Sequence, residues 1–238
     1  LHPAAADTIC RQHKHGQQHQ QQRAQQGGLR AALLDAERHH AVNRQQRKQV
    51  ALFFRLKRRY AGADPRQDKG FQHVTSAIGN RDGVSLNEGQ IWVDTLFMAV
   101  LFLNKMGQKT DNELWKNEAT HQFLVHIKYL FDRHTGLFHH GFRFDGRDNF
   151  GGIFWCRGNS WFTYGVMEYI DTCGEQLNLG VKDFLIDTFK SQASALLKLQ
   201  SPSGLWHTVL TDPSSYEEVS GSGAIAGGIL KGIKMGIL

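Results

Sequence analysis

Cysteine is scarce in this chain. Its 238 residues include three, Cys10, Cys156 and Cys173. An odd, widely spaced set without a CxxC pair excludes a disulfide framework and a cysteine-built zinc site. A reducing, cytoplasmic compartment is the expectation. Long apolar runs are missing too. No stretch of about 18 or more uncharged apolar residues occurs, so no membrane-spanning helix is predicted. The N-terminus shows none of the charged, apolar and small-residue succession of a signal peptide. Glycines gather in "GNSWFTYG" and "GSGAIAGG", but neither group follows a strand at the spacing a phosphate cradle needs. Histidines number 13, yet no ligand spacing closes on one helix face, and neither a metal nor another cofactor is expected.

What is present divides in two. The net charge is +6, but residues 1–70 carry 14 Lys and Arg against 5 Asp and Glu, and the remainder carries 14 against 17. Acid is what the front lacks, and the boundary separates residues 1–69 from 70–238. The front segment is rich in Gln, Arg and His and poor in apolar periodicity. Such a composition cannot bury enough surface to offset chain entropy, so disorder is the default, with short helices over "ALLDAERHHAV" and "QVALFFRLKRRY". Two other readings stay open. One is a nucleic-acid-binding arm built on Lys57, Arg58 and Arg59 beside Tyr60. The other is a stretch not native to the domain behind it.

From Gly70 onward three stretches echo one another: "GFQH" at 70–73, "GLFH" at 136–139 and "GLWH" at 204–207. A recurrence at this interval signals a repeated supersecondary unit. Helix-like segments lie between the echoes, at 88–107, 112–131, 158–172 and 181–199, and another begins at Tyr216. The first and third are apolar nearly all round, as buried helices are; the second and fourth are amphipathic, as covering helices are. An inner and an outer layer of antiparallel helices follows, an all-α toroid. "RHTG" and "SPSG" punctuate the outer helices. The small residues of "GSGAIAGGILKGIKMG" suit close packing of an inner helix, because Ile225, Ile229, Leu230 and Ile233 keep helical periodicity.

The candidate site sits where loops of one rim meet the starts of inner helices. There the sequence gathers Trp92, Asp94, His139, His140, Phe142, Arg157, Trp161, Trp206, His207 and Tyr216. Aromatic faces with a few acids, imidazoles and an arginine suit a sugar, whose apolar face lies on rings while its hydroxyls pair with polar groups. Asp94 is the one carboxylate within "IWVDTLFMAVLFL". It reads either as the N-cap of the helix that follows or as a general acid; a helix start favours its ionised form, apolar neighbours and an anionic substrate the protonated one. Arg157, flanked by Trp155 and Trp161, reads either as a structural partner of an outer-helix acid or as a bidentate grip on a carboxylate. Cys156 reads as packing. His139 and His207 are explained by loop architecture at least as well as by catalysis.

The motifs "IWVDTLFMAVLFL", "GLFHHGF", "WCRGNSW" and "GLWHTVL…SYEE…SGSGAIAGGILKGI" together resemble glycoside hydrolase family 105, the unsaturated rhamnogalacturonyl hydrolases, and more distantly family 88, the unsaturated glucuronyl hydrolases. The resemblance covers about residues 70–238. It implies an (α/α)6 barrel, here incomplete at both ends, that removes a Δ4,5-unsaturated galacturonyl residue from pectin oligosaccharides. The implied chemistry hydrates a vinyl ether: an aspartate matching Asp94 protonates C4 and then assists attack of water at C5, and the hemiketal formed collapses and expels the neighbouring sugar. The resemblance casts His140 and Arg157 as binding or orienting the uronate, with Trp161 packing on the sugar; Trp92 and Trp206, gathered at the same rim, are the further candidate substrate contacts. It also implies a second acid from the front region, where Asp35 does not match in its surroundings. The expected partner is the oligosaccharide, with neither nucleic acid nor membrane. The alternatives are a truncated, non-catalytic carbohydrate-binding remnant, an α/α-toroid sugar epimerase relying on histidines, and a basic nucleic-acid-binding protein.

Overall fold

A computed structural model of the chain describes residues 70–76, 84–87, 89–150 and 152–238, all within one compact unit. The expectations for residues 1–69 lie outside this range. Among the described residues the fold is carried by five α-helices. α1 (Leu101–Thr110) follows a π-helical turn at Leu96–Val100. α2 spans Glu113–Leu130, α3 Cys156–Cys173, α4 Leu179–Lys198 and α5 Val219–Lys234. The outer helices start where asparagine can satisfy a free N–H. Asn112 accepts from Trp115 N at 3.2 Å, and Asn178 accepts from Val181 N at 3.3 Å. No described helix is long and apolar enough to cross a membrane.

Neighbour relations settle the architecture. α1 packs on α2 and α3, and α3 packs on α4 and, most extensively, on α5. Short connections turn α1 back into α2 and α3 back into α4, so each pair is an antiparallel hairpin. α1, α3 and α5 are therefore successive inner helices, with α2 and α4 outside them: an arc of an (α/α) toroid. Burial follows the layers. α3 hides residues on every side, from Cys156 and Asn159 through Phe162, Val166 and Ile170. α4 buries a single stripe, Leu185, Thr188, Phe189, Gln192 and Leu196, the spacing of a helix with one covered face. The glycines of α5 permit its close approach to α3. A Cβ on Gly228 would lie 2.5 Å from the backbone oxygen of Thr163, and one on Gly221 would lie 2.6 Å from Cys156 Sγ.

Three two-stranded antiparallel ribbons dress the helix ends: β1 (Val74–Ser76) with β2 (Val84–Leu86), β3 (Gln90–Trp92) with β6 (Gly141–Arg143), and β4 (Phe131–Asp132) with β5 (Leu137–Phe138). β3 corrects the expectation of a helix from residue 88. Residues 90–92 bury only Ile91, the alternation of a strand, and pair with β6 in the register Gln90↔Arg143, Ile91↔Phe142, Trp92↔Gly141. Helical backbone begins only at Asp94. Two of the three echoes share one geometry. Gly136 and Gly204 hold φ of 74° and 86°, a left-handed turn open to glycine at little cost. Two residues on, Phe138 and Trp206 plug the core.

Candidate active site

Asp94 stands at the first helical residue after β3, and its carboxylate is turned to the residue that leads into β6. His140 Nε2 lies 2.9 Å from Asp94 Oδ2, with side-chain exposures of 25% and 16% respectively. The backbone reinforces the pair, for Val93 N donates to His140 O at 3.0 Å. Asp94 is thus joined to an imidazole 46 residues away. Asp94 itself has helical backbone, the N-cap position of the π-helical turn falls to Thr95, and the side-chain partner of Asp94 is His140. Asp94 is neither free in solvent nor alone in an apolar wall.

Rings enclose this pair. Trp92 stacks flat on His73, with centroids 4.4 Å apart and planes 7° apart, and meets His140 edge-on at 4.8 Å. Trp155 meets His140 edge-on from another side at 4.7 Å. The Arg157 guanidinium lies over the Trp155 ring at 4.6 Å, a cation–π contact. Arg157 Nε also forms an ion pair with Glu218 Oε1 at 3.2 Å. Trp161, one turn beyond Arg157 on α3, leans on Phe97 at 4.9 Å. Its indole Nε1 is buried with no partner among the described residues. The structure therefore brings Trp92, Asp94, His140 and Arg157 into one chain of contacts and sets Trp161 on the same helix flank.

Other expected residues fall elsewhere. Trp206 is only 3% exposed and donates its indole N–H to Leu196 O at 2.8 Å. It belongs to the core cluster with Leu137, Cys156, Leu210 and Ile225, so the structure gives it no surface for a sugar. His139 turns away from Asp94 onto Phe154 at 4.7 Å, and burial holds its pKa below the usual value. His207 Nδ1 reaches Ser215 O at 2.6 Å, a loop contact. Burial first, then the Glu218 carboxylate, push Cys156 up to about 12, so its thiol stays protonated and is no nucleophile near neutral pH.

Three contributors were not among the expected site residues. His73 bonds Thr95 Oγ1 through Nδ1 at 3.2 Å, and burial lowers its pKa against the opposing pull of Asp94. Its signal was the histidine of the first echo. Trp155 was visible as the first letter of "WCRGNSW", and Glu218 as the second acid of "SYEE". Asn159 of the same motif proves structural. Its side chain accepts from Phe138 N at 2.7 Å and donates to Phe138 O at 2.9 Å, which clamps the strand that leads to His140. Gln192 Nε2 and Thr163 close the buried network, so each polar member is satisfied.

Comparison with known proteins adds to this geometry. A family model described as Glycosyl Hydrolase Family 88 matches residues 6–238, a range that takes in most of the front segment. The chain is 34% identical over 148 residues to the unsaturated rhamnogalacturonyl hydrolase YesR of Bacillus subtilis strain 168, covering 61% of this chain and 42% of that protein. It is 36% identical over 153 residues to an unsaturated 3S-rhamnoglycuronyl hydrolase of Alteromonas sp. strain LOR, covering 62% and 36%. Among solved structures, a possible member of the GH105 family from Klebsiella pneumoniae superposes with a TM-score of 0.68 at 38% identity, covering 79% of this chain and 48% of that one. The chain thus spans less than half the length of each of these three.

Proposed function

This chain belongs to glycosyl hydrolase family 88, and from that premise we propose that it removes a Δ4,5-unsaturated galacturonyl residue from the end of rhamnogalacturonan oligosaccharides. The rhamnogalacturonyl substrate follows the Bacillus subtilis relative. Asp94 is the general acid and base. Its proton goes to C4 of the enol ether, positive charge develops at C5 beside the ring oxygen, and water adds there as Asp94 takes a proton back. The resulting hemiketal opens and releases the neighbouring sugar. One carboxyl therefore serves both steps, unlike the paired carboxylates of displacement at an anomeric carbon.

The observation that carries this reading is the 2.9 Å contact between Asp94 Oδ2 and His140 Nε2. The imidazole fixes which carboxyl oxygen is free to meet the double bond. General acid–base groups need such placement before their affinity for protons matters. Arg157 supplies the fixed positive charge for the uronate, and Trp92 and Trp161 supply ring surface. The decisive assay follows the ultraviolet absorbance of the C4=C5 enol ether. The wild-type chain is expected to bleach it and Asp94→Asn to leave it flat, at least 100-fold slower, the order of a general acid–base contribution. Bleaching by Asp94→Asn at the wild-type rate would sink the assignment. The second reading is carbohydrate binding without catalysis, for which the rings of Trp92 and Trp161 supply the same surface. That reading wins if wild type binds the unsaturated sugar and never bleaches it.

A further inference from the structure

Under the function proposed for this chain, Arg157 is the cation that meets the substrate carboxylate, and the role inferred for its partner Glu218 depends on that function. A guanidinium can offer a carboxylate two edges. One is side-on, Nε with a single Nη; the other is end-on, with both Nη groups. Which edge is open decides how the sugar acid must lie. Here Glu218 Oε1 lies 3.2 Å from Nε as an ion pair, without a hydrogen bond in line with the N–H. Neither Nη group has a hydrogen bond among the described residues. The flat face rests on Trp155 at 4.6 Å. Half of the arginine is held and half is open, as its 42% side-chain exposure reflects.

Glu218 is built to hold. Its side chain is 6% exposed. Oε1 accepts from Ser220 Oγ at 2.8 Å and Oε2 accepts from Thr208 Oγ1 at 3.1 Å, so both oxygens are fixed before the arginine arrives. Its backbone is pinned as well, with Glu218 N donating to Trp206 O at 2.9 Å. A simpler explanation would make it the cap of α5, where it occupies the N-cap position. Its side chain makes no cap bond there. The carboxylate reaches instead across to the first turn of α3.

We infer that Glu218 is a positioning residue for Arg157. Its charge anchors the guanidinium on the Nε side while Trp155 holds the face, and this leaves the two Nη groups open toward the substrate's carboxylate. The guanidinium is pre-oriented, so binding the acid costs little side-chain entropy. Glu218 touches neither substrate nor reacting atoms; its effect is on discrimination between a uronate and its neutral ester.

The test uses the full chain carrying Asp94→Asn, which prevents turnover. Calorimetry compares an unsaturated galacturonyl–rhamnose disaccharide with its C6 methyl ester. The parent is expected to prefer the acid. Glu218→Met, a buried apolar replacement of similar size, is expected to cut that preference about tenfold, the scale of one charge-assisted bond, with the ester's Kd within twofold of the parent. Arg157→Lys should cut the preference similarly, and the double variant should cut it no further than either alone. Three results overturn the inference: an unchanged preference, equal weakening of acid and ester, which marks a merely structural role, or a gain in preference, which would mean Glu218 only drains positive charge. Should Glu218→Met not melt cooperatively, Glu218→Gln takes its place with an expected threefold loss and the same overturning results. A parent without preference for the acid overturns both this inference and the function on which it depends.

Discussion

His126 shows what burial does to a single side chain in this fold. It is fully enclosed on α2, its Nδ1 lies 2.7 Å from Gln122 O, and its Nε2 has no partner among the described residues. Burial is the largest cause of a pKa near 4, with nearby His73 and His121 adding to it. The folded state therefore refuses a proton that the unfolded chain accepts near pH 6.5. Above that pH the residue contributes no pH dependence. As pH falls from about 6.5 to about 4 the unfolded state gains protons first, so stability drops by about 3 kcal/mol. Thermal melts across this window should show the fall, and His126→Leu should lose most of it; an unchanged slope in the variant would refute the account. Residues of this scale were unevenly legible. Asp94 announced itself as a lone acid in an apolar run. His140 was legible only as one of two adjacent histidines, since nothing local tells which faces β3. Trp206 misled because an indole beside a turn looks alike whether it faces sugar or core. Its N–H finds Leu196 O ten residues back, a contact only the folded loop creates.

Among the elements, α5 has two faces that a single methyl group can tell apart. Gly228 touches the backbone of Thr163, and no rotamer can relieve a clash with a main-chain oxygen. Gly228→Ala must push α5 from α3, at about 1–3 kcal/mol. Gly223, exposed on the same helix, has nothing within 4 Å of a new Cβ, so Gly223→Ala should raise stability by about 0.5–1 kcal/mol through helix propensity. Denaturant midpoints of the two variants should move in opposite directions, and movement in the same direction would remove close packing as the explanation. The helices could be read in the sequence because sixteen to twenty residues give a 3.6 period room to show itself. The ribbons could not. β3 and β6 have three residues each and pair across a separation of about fifty, and no local period encodes a partner that distant. For that reason the expected helix absorbed residues 90–92.

For the whole molecule, the alternation of inner and outer helices sets a hierarchy of stability. α3 is the shared neighbour of α1, α4 and α5 and is buried on all sides. Opening it requires nearly everything else to open, so its amides should be the slowest to exchange with deuterium and should track global unfolding. Slower exchange in α2 or α4 than in α3 would contradict this order. The repeat of glycine and histidine at intervals near 67 residues was enough to expose the toroid, since each unit buries its face only against the next. The same repeat could not say which rim residues converge, because convergence depends on the ribbons. The β3–β6 pairing has a consequence of its own. Its terminal rung at the helix end carries Trp92 opposite Gly141, and the carboxyl–imidazole couple sits just beyond. The tip at residues 144–147 lies past the opposite rung. Lengthening, trimming or rewriting that tip therefore leaves the couple in gauge. Chains sharing this architecture are free to vary that tip while the Asp94–His140 contact keeps its spacing.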